Sequence, residues 1–364
     1  MVTLTKKNII ILHPTDDGAC SWYRMRFMAG LLESGRGGEV QVLVSPFEVT
    51  DEYILKYTAA IVVSRPIDET CEGLIRRYRS KRGKFGFRIF ADYDDLLFDI
   101  DGKDTMPEFN PCKLDTVETG KRMNRILEGL DGVSVSTAIL QSCFRRRFKV
   151  DPVVVPNAVP SFMFGKNRDS VDDDISVPRV LYAGSLSHYG KNGDMNESWL
   201  EWLRHAVGEG LIELHVFDDG EHADMFHRDT VFHNFVGAYE FPHAASAIRP
   251  DIYLAPLVPC MFNACKSNLK LLEATALGAA LLFNCWNGCP YNDAHYISGS
   301  APRTVTNHKY MDALVRTICN RDNFNEILAH QRSVVDELGL RMESGHYIGR
   351  WLRAYFGEAL RTNR

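Results

Sequence analysis

No run of about 18 apolar residues occurs in this 364-residue sequence, so no membrane-spanning helix is expected. The nine cysteines show no paired Cys-x-x-Cys spacing. The first residues, Met-Val-Thr-Leu-Thr-Lys-Lys, run straight into an apolar strand at 8–12 and lack the pattern of a secretory leader. The thiols are therefore expected to be free, in a reducing cytoplasm. There is no excess of basic residues. A net charge of −5 argues against a chain whose main task is holding nucleic acid. No Gly-x-Gly-x-x-Gly fingerprint follows the first strand. Gly35-Arg36-Gly37-Gly38 precedes a strand instead, as a helix-to-strand connection does, which disfavours a nicotinamide-dependent enzyme. No internal repeat is visible.

An apolar fraction of 45% and a charged fraction of 24% are those of an ordinary globular protein, and the length suffices for two domains with separate cores. Apolar runs of strand length recur at 8–12, 40–44, 60–63, 88–91, 132–136 and 152–155, with helix-like stretches at 22–33, 70–82 and 117–130 between them. Such alternation predicts βαβ units and a parallel sheet. The polar, acidic stretch 165–174 has the composition of a linker. Beyond it the alternation resumes, with strands at 179–183, 211–217, 231–235, 251–255 and 279–283 and helices at 196–208, 266–277, 308–319 and 322–337. An amphipathic helix is expected over 344–361, where Tyr347, Ile348, Trp351, Leu352, Tyr355 and Phe356 recur at helical spacing. The expected architecture is α/β, two Rossmann-like doubly wound domains facing a central cleft. Residues 1–163 form the first domain, 164–178 a linker, 179–343 the second domain and 344–364 a closing helix. Ligands of open α/β sheets bind at the carboxyl ends of the strands, so the cleft is where chemistry is expected.

The segment from Cys265 through Lys266, Ser267, Asn268, Leu269 and Lys270 to Glu273 follows a buried-strand run, 252–257. A helix N-terminus with unpaired N–H groups and a nearby lysine favours phosphate. Glu273, seven residues after Lys266, is expected on the same helix face, and one carboxylate beside a phosphate suits the two hydroxyls of a ribose. The loop after the first strand, 13–24, carries Gly18, where backbone can approach a ligand, and then Tyr23 and Arg24. Its plain alternative is a capped turn. The segment 91–99 clusters Asp92, Asp94, Asp95 and Asp99 among Phe90, Tyr93, Leu96, Leu97 and Phe98. Such carboxylates hold a metal, act as a base or orient sugar hydroxyls, unless they form a solvated acidic turn. Gly184 and Ser185 sit where a phosphate loop would, with His188 and Lys191 as donors for a diphosphate. Val236 and Gly237 offer backbone to a base edge, on which Tyr239 could pack; a simple turn fits these residues nearly as well. Two basic stretches, 76–84 and 145–149, each end a helix, where cations suit the helix dipole. The other reading of them is an anionic acceptor such as DNA or a membrane surface.

Taken in order, these segments, with Val-Ser-Val-Ser-Thr137, Val153-Val-Val-Pro-Asn157, Tyr182-Ala-Gly-Ser185 and Ala255-Pro256-Leu257, resemble the retaining GT-B glycosyltransferases of the family 4 type. The resemblance spans nearly the whole chain; its most specific parts are the Val-Pro-Asn and Lys-Ser-Asn-Leu-Lys-x-x-Glu-Ala segments. It implies a UDP- or GDP-sugar donor held by the second domain, an acceptor held by the first, retention at the anomeric carbon and no metal. By position, Glu273 would bind the ribose. The turn Lys266, Ser267, Asn268, Leu269, Lys270 would bind the diphosphate, with Lys266 and His188 or Lys191 neutralising the leaving group. Ser185, Val236 and Tyr239 would complete the donor site and Gly18 would approach the diphosphate from the opposite side. Tyr23, Arg24 and Asp92 would face the acceptor, and Asp94 and Asp95 would bind it or handle its proton. Two positions depart from the family pattern. Cys265 stands where the family often has a sugar-contacting glutamate, and Ser185 where it often has an arginine. Some phage and bacterial sequences are similar to this variant.

The expected activity is sugar transfer to a saccharide, a lipid-linked glycan, a protein or a nucleobase. One alternative is a phage enzyme glycosylating hydroxymethylated DNA, which would act on a flipped or exposed base and need a basic groove. Another is a nucleotide-sugar-binding protein without catalysis, motivated by Cys265 and the missing arginine.

Overall fold

The computed structural model describes residues 7–15, 18–36, 40–99, 115–165, 168–184, 188–189, 193–218, 220, 222–292 and 307–356. The first sheet contains β1 (Ile9–His13), β2 (Gln41–Val44), β3 (Thr58–Ser64), β4 (Arg88–Tyr93), β5 (Gly132–Val135) and β6 (Val153–Val154). Their order is β2-β1-β3-β4-β5-β6, and every pairing is parallel. The second contains β7 (Arg179–Tyr182), β8 (Glu213–Phe217), β9 (Val231–His233), β10 (Ile252–Ala255) and β11 (Ala280–Phe283), in the order β11-β10-β7-β8-β9, again wholly parallel. β1 and β10 are buried along their whole length. That is why they read as unbroken apolar runs: parallel strands are covered by helices on both faces.

Helix ends follow local chemistry. Asp68 caps helix Glu69–Phe85 by accepting from the Cys71 N–H, and Gly86 closes it at φ 67°. The helix expected over 266–277 starts later, at Leu269, and a short helix stands ahead of it. Met261–Cys265 forms one short helix, Lys266 is extended (φ −61°, ψ 152°), and a second helix, Leu269–Leu277, begins after Asn268. Serine and asparagine compete with the backbone for hydrogen bonds and favour helix boundaries over helix interiors, so the break at Ser267-Asn268 is in keeping with their chemistry. Lys266 and Glu273 therefore do not share one helix face. Lys266 instead stands just ahead of the new N-terminus.

The chain crosses between the halves twice, near 155–164 and near 338–345. The crossings touch where the Met342 N–H donates to the Val159 carbonyl (3.0 Å). The helix Gly345–Phe356 then returns to the first half. Its Trp351 Nε1 donates to the Arg24 carbonyl (3.4 Å), Tyr347 donates to the Pro156 carbonyl (2.9 Å), and Tyr355 packs edge-on against Phe90. One continuous apolar cluster joins Ile10, Leu12 and Met28 of the first half to Leu271, Leu272 and Trp351. A second cluster carries Val258, Cys260, Phe262 and Cys265 into contact with Tyr93, Cys143 and Phe144. No described helix is long and apolar enough to cross a membrane.

Candidate functional site

Two adjoining cavities, of about 220 and 230 Å³, open between the sheets and share Ala19, Ala183, Gly184 and Lys270 in their walls. Their walls come from segments just past the carboxyl ends of strands: Gly18 and Tyr23 after β1, Asp94 and Asp95 after β4, Asn157 after β6, Gly184 and His188 after β7, Val236 after β9, and Leu257 after β10. The cleft edge of both sheets thus converges on one space, as open α/β sheets arrange their ligand sites.

The first cavity is largely apolar. Phe217, Phe235, Val236, Gly237, Ala238 and Phe241 form its outer wall, with Tyr23, Lys270 and Glu273 at its inner end. Glu273 is 2% exposed and holds three donors. Tyr23 reaches its Oε1 from the other half (3.0 Å), and Tyr253 (2.8 Å) and Lys270 (2.9 Å) reach its Oε2. A carboxylate accepts about four hydrogen bonds, so the described residues leave one acceptor position for a ligand. Burial, and then the Glu273 charge, push the Tyr23 and Tyr253 phenols well above their usual range, which keeps both as donors. The Lys270 ammonium also lies 5.2 Å from the Tyr253 ring centroid and 5.6 Å from that of Phe241.

The second cavity carries charges of both signs. Lys266, Ser267, Leu269 and Lys270 form one wall, at the N-terminus of helix Leu269–Leu277. His188 stands beside them, its Nδ1 paired with the buried Asp194. The carboxylate only accepts, so Nδ1 carries a proton. Asp194 is itself fixed by the Val258 N–H and the Asn263 amide, both at 2.7 Å. Asp94, Asp95 and Cys20 face this array across the space. Asp94 is 6% exposed; its Oδ1 makes no hydrogen bond among the described residues and lies 3.6 Å from Arg65 Nε. Burial raises the Asp94 carboxyl above its ordinary range, against the pull of Arg65, and Asp95 adds to the rise. Cys20, Asp94 and Asp95 bring ligand atoms within 4.8 Å of one another, a set that could hold a cation. The Arg65 guanidinium, which also donates to Cys20 Sγ (3.2 Å), competes for the same oxygens.

Several expected site residues stand elsewhere. Arg24 and Asp92 are buried and bind each other through two bonds of 2.5 and 2.6 Å, so neither lines a cavity. Ser134 (2.5 Å) and Tyr355 (3.2 Å) donate to the same Asp92 oxygen. Tyr239 is 53% exposed and packs on Trp22 and Phe27 at the cleft mouth, outside both cavity walls. Asn268 occupies the helix start without lining either cavity. Ser185 and Lys191 lie outside the described residues. Cys265 is fully buried, its Sγ 3.7 Å from Cys143 Sγ of the first half, and it lines neither cavity. The basic stretches end helices that lead into β4 and β6, at the sheet edge opposite the cleft. Most of their cations are paired there: Arg77 and Lys81 with Glu48, Arg82 with Asp131, Lys84 with Glu52, Arg145 with Asp151 and Arg147 with Asp99.

Cys20, Asn157, Asp194 and Tyr291 belong to or support the site without having been singled out for it. Asn157 closes the Val-Pro-Asn segment, and Tyr291 follows the last strand of the second sheet, so position past a strand end was the available signal for both. Nothing in the sequence distinguishes Asp194.

No protein-family model matches the chain, and no curated protein matches it. Solved structures do. A glycosyltransferase from Rickettsia africae superposes with a TM-score of 0.60 at 10% identity, over 99% of this chain and 100% of that one. HepE of Anabaena, solved in complex with UDP, gives 0.56 at 10% identity over 98% and 99%. TarM of S. aureus, solved with fondaparinux, alpha-GlcNAc-glycerol and UDP, gives 0.56 at 11% identity over 82% of this chain. The matched region spans 55% of the TarM chain. The fold is that of the GT-B glycosyltransferases.

Proposed function

We propose that this chain is a GT-B glycosyltransferase that moves a sugar from a UDP- or GDP-sugar to a hydroxyl acceptor, with retention and without a metal. The carrying observation is the junction of the two cavities. An apolar chamber ends at the buried Glu273, and Glu273 lies one turn inside a helix whose N-terminus opens into a chamber of opposite charges. The base would occupy the apolar chamber between Phe217, Val236 and Phe241. The ribose would take the remaining acceptor capacity of Glu273. The diphosphate would meet the N–H groups at Leu269 and the ammonium groups of Lys266 and Lys270, which suits a dianion. That two neighbours of this fold, HepE and TarM, were solved with UDP supports the same reading.

Leaving-group charge develops on the diphosphate during transfer. Fixed positive groups aimed at such developing charge usually lower the barrier more than any other single effect. Lys266, Lys270 and the helix N-terminus would supply them, with His188 beside the turn. Asp94 and Asp95, on the facing wall, would orient the acceptor hydroxyl and take part in removing its proton. A buried carboxyl shifted upward is better matched to that task near neutral pH than an ordinary one. The acceptor we favour is a saccharide or lipid-linked glycan, because the arginine-rich stretches lie at the far sheet edge, away from the cleft. The test is release of nucleoside diphosphate from a panel of UDP-, GDP- and ADP-sugars with mixed saccharide acceptors. Turnover of one donor is expected. No hydrolysis or transfer with any of them would leave only a binding protein.

A further inference from the structure

The polar chain that joins the buried Arg24–Asp92 pair to the diphosphate turn has no part in the proposed transfer. Arg24 Nη1 donates to Asn157 Oδ1 (2.7 Å) and to the Val155 carbonyl (2.8 Å), and Asn157 Nδ2 donates to Ser267 Oγ (2.8 Å). A guanidinium only donates, so Arg24 fixes which end of the Asn157 amide carries oxygen and leaves the NH2 to face Ser267. The anchor behind Arg24 is firm. Asp92 holds it with two bonds and is held in turn by Ser134 and Tyr355. Arg24, Asp92 and Asn157 are each at most 5% exposed. Ser267 lies in the break between helices Met261–Cys265 and Leu269–Leu277.

We infer that Asn157 is a positioning residue, which ties the diphosphate-binding turn of the second half to the buried ion pair of the first and so makes donor binding depend on closure of the cleft. This rests on the donor site proposed above. Other contacts cross the same seam, among them Thr137 Oγ1 to the Cys265 carbonyl (2.9 Å), Tyr23 to Glu273 (3.0 Å) and Cys143 Sγ to Cys265 Sγ (3.7 Å). Unlike these, the Asn157 contact ends on a side chain of the turn itself.

The test uses the full chain with four variants: Asn157→Ala, Asn157→Asp, Ser267→Ala and the double Asn157→Ala/Ser267→Ala. UDP and GDP affinities are measured by calorimetry. Opening of the seam is read separately, as the rate at which N-ethylmaleimide labels the buried Cys143 and Cys265, mapped by mass spectrometry. Asn157→Asp keeps the acceptor for Arg24 and is expected to retain the wild-type melting temperature, yet to weaken nucleotide binding about tenfold because a carboxylate then faces the diphosphate. Asn157→Ala and Ser267→Ala should each weaken binding and speed labelling, and the double variant should be no worse than the poorer single one. Additive penalties, an unchanged labelling rate, or a folded Asn157→Asp protein with wild-type affinity would each overturn the inference. A wild-type protein that binds neither nucleotide would instead sink the donor reading, and the labelling rates would still decide whether Asn157 holds the seam.

Discussion

Asp94 and His13 carry the clearest chemistry at the level of single residues. Asp94 has a raised carboxyl in the fold, so its ionisation at neutral pH opposes folding. The stability it contributes is present below the unfolded value of about 4 and is lost as pH rises through the higher folded value. Asp94→Asn should therefore raise the melting temperature at pH 7, and the gain should shrink as pH falls towards about 4. A variant less stable than wild type at pH 7 would contradict the burial argument. His13 behaves in the opposite sense. Its Nδ1 donates to the Ser45 carbonyl (2.6 Å), its Nε2 accepts from Tyr78 (2.9 Å), and burial holds it down at about 4. Its neutral form stabilises the fold above the ordinary histidine value of about 6.5, and that contribution disappears as pH falls from there to 4. His215 and His233 are lowered by burial and act in the same direction. Calorimetric melting between pH 7 and pH 4 should show a steep loss of stability, and His13→Gln should make it shallower.

Among the elements, helix Leu269–Leu277 carries most of the proposed donor site, and its far end is constrained as well. Gly278 closes it at φ 68°, and a Cβ there would stand 2.6 Å from the Arg168 carbonyl oxygen. Gly278→Ala should cost roughly 1–3 kcal/mol by strained backbone alone, measurable by denaturant unfolding; an effect near zero would contradict the left-handed cap at this position. The sequence made all eleven strands legible as runs rich in apolar residues between polar turns, and fully buried parallel strands such as β1 and β10 are unbroken apolar runs. It was poorer on short helices. Met261–Cys265 and Phe241–Ile248 were not read as helices, and the break at Ser267 was not seen. A five-residue helix shows less than two turns of periodicity, so pattern alone does not reveal it. The candidate site was legible where residues follow a strand end, as Asp94 and His188 do, and at the lysine-bearing helix start of Lys266, Lys270 and Glu273. It was illegible where tertiary pairing decides the role: Arg24 and Asp92 carry the residue types of an acceptor site, yet they neutralise each other 68 positions apart in the chain.

In the whole molecule, the seam between the halves is where structure and proposed chemistry meet. Apolar packing, the returning helix Gly345–Phe356 and polar contacts that include Tyr23–Glu273, Thr137–Cys265 and Asn157–Ser267 close it around the cavities. Cys265 belongs to this seam and lines neither cavity, so the position where the resembled family often has a glutamate is here an inter-half contact. The central claim is that the cleft holds a nucleoside diphosphate with its ribose on Glu273. Titration calorimetry of UDP and GDP against wild type and Glu273→Gln tests it most directly. Wild type should bind one of the two, and Glu273→Gln should bind it roughly 10- to 100-fold more weakly, the worth of a hydrogen bond to a buried charge. Equal affinity of the folded variant, or binding of neither nucleotide by wild type, would contradict the account.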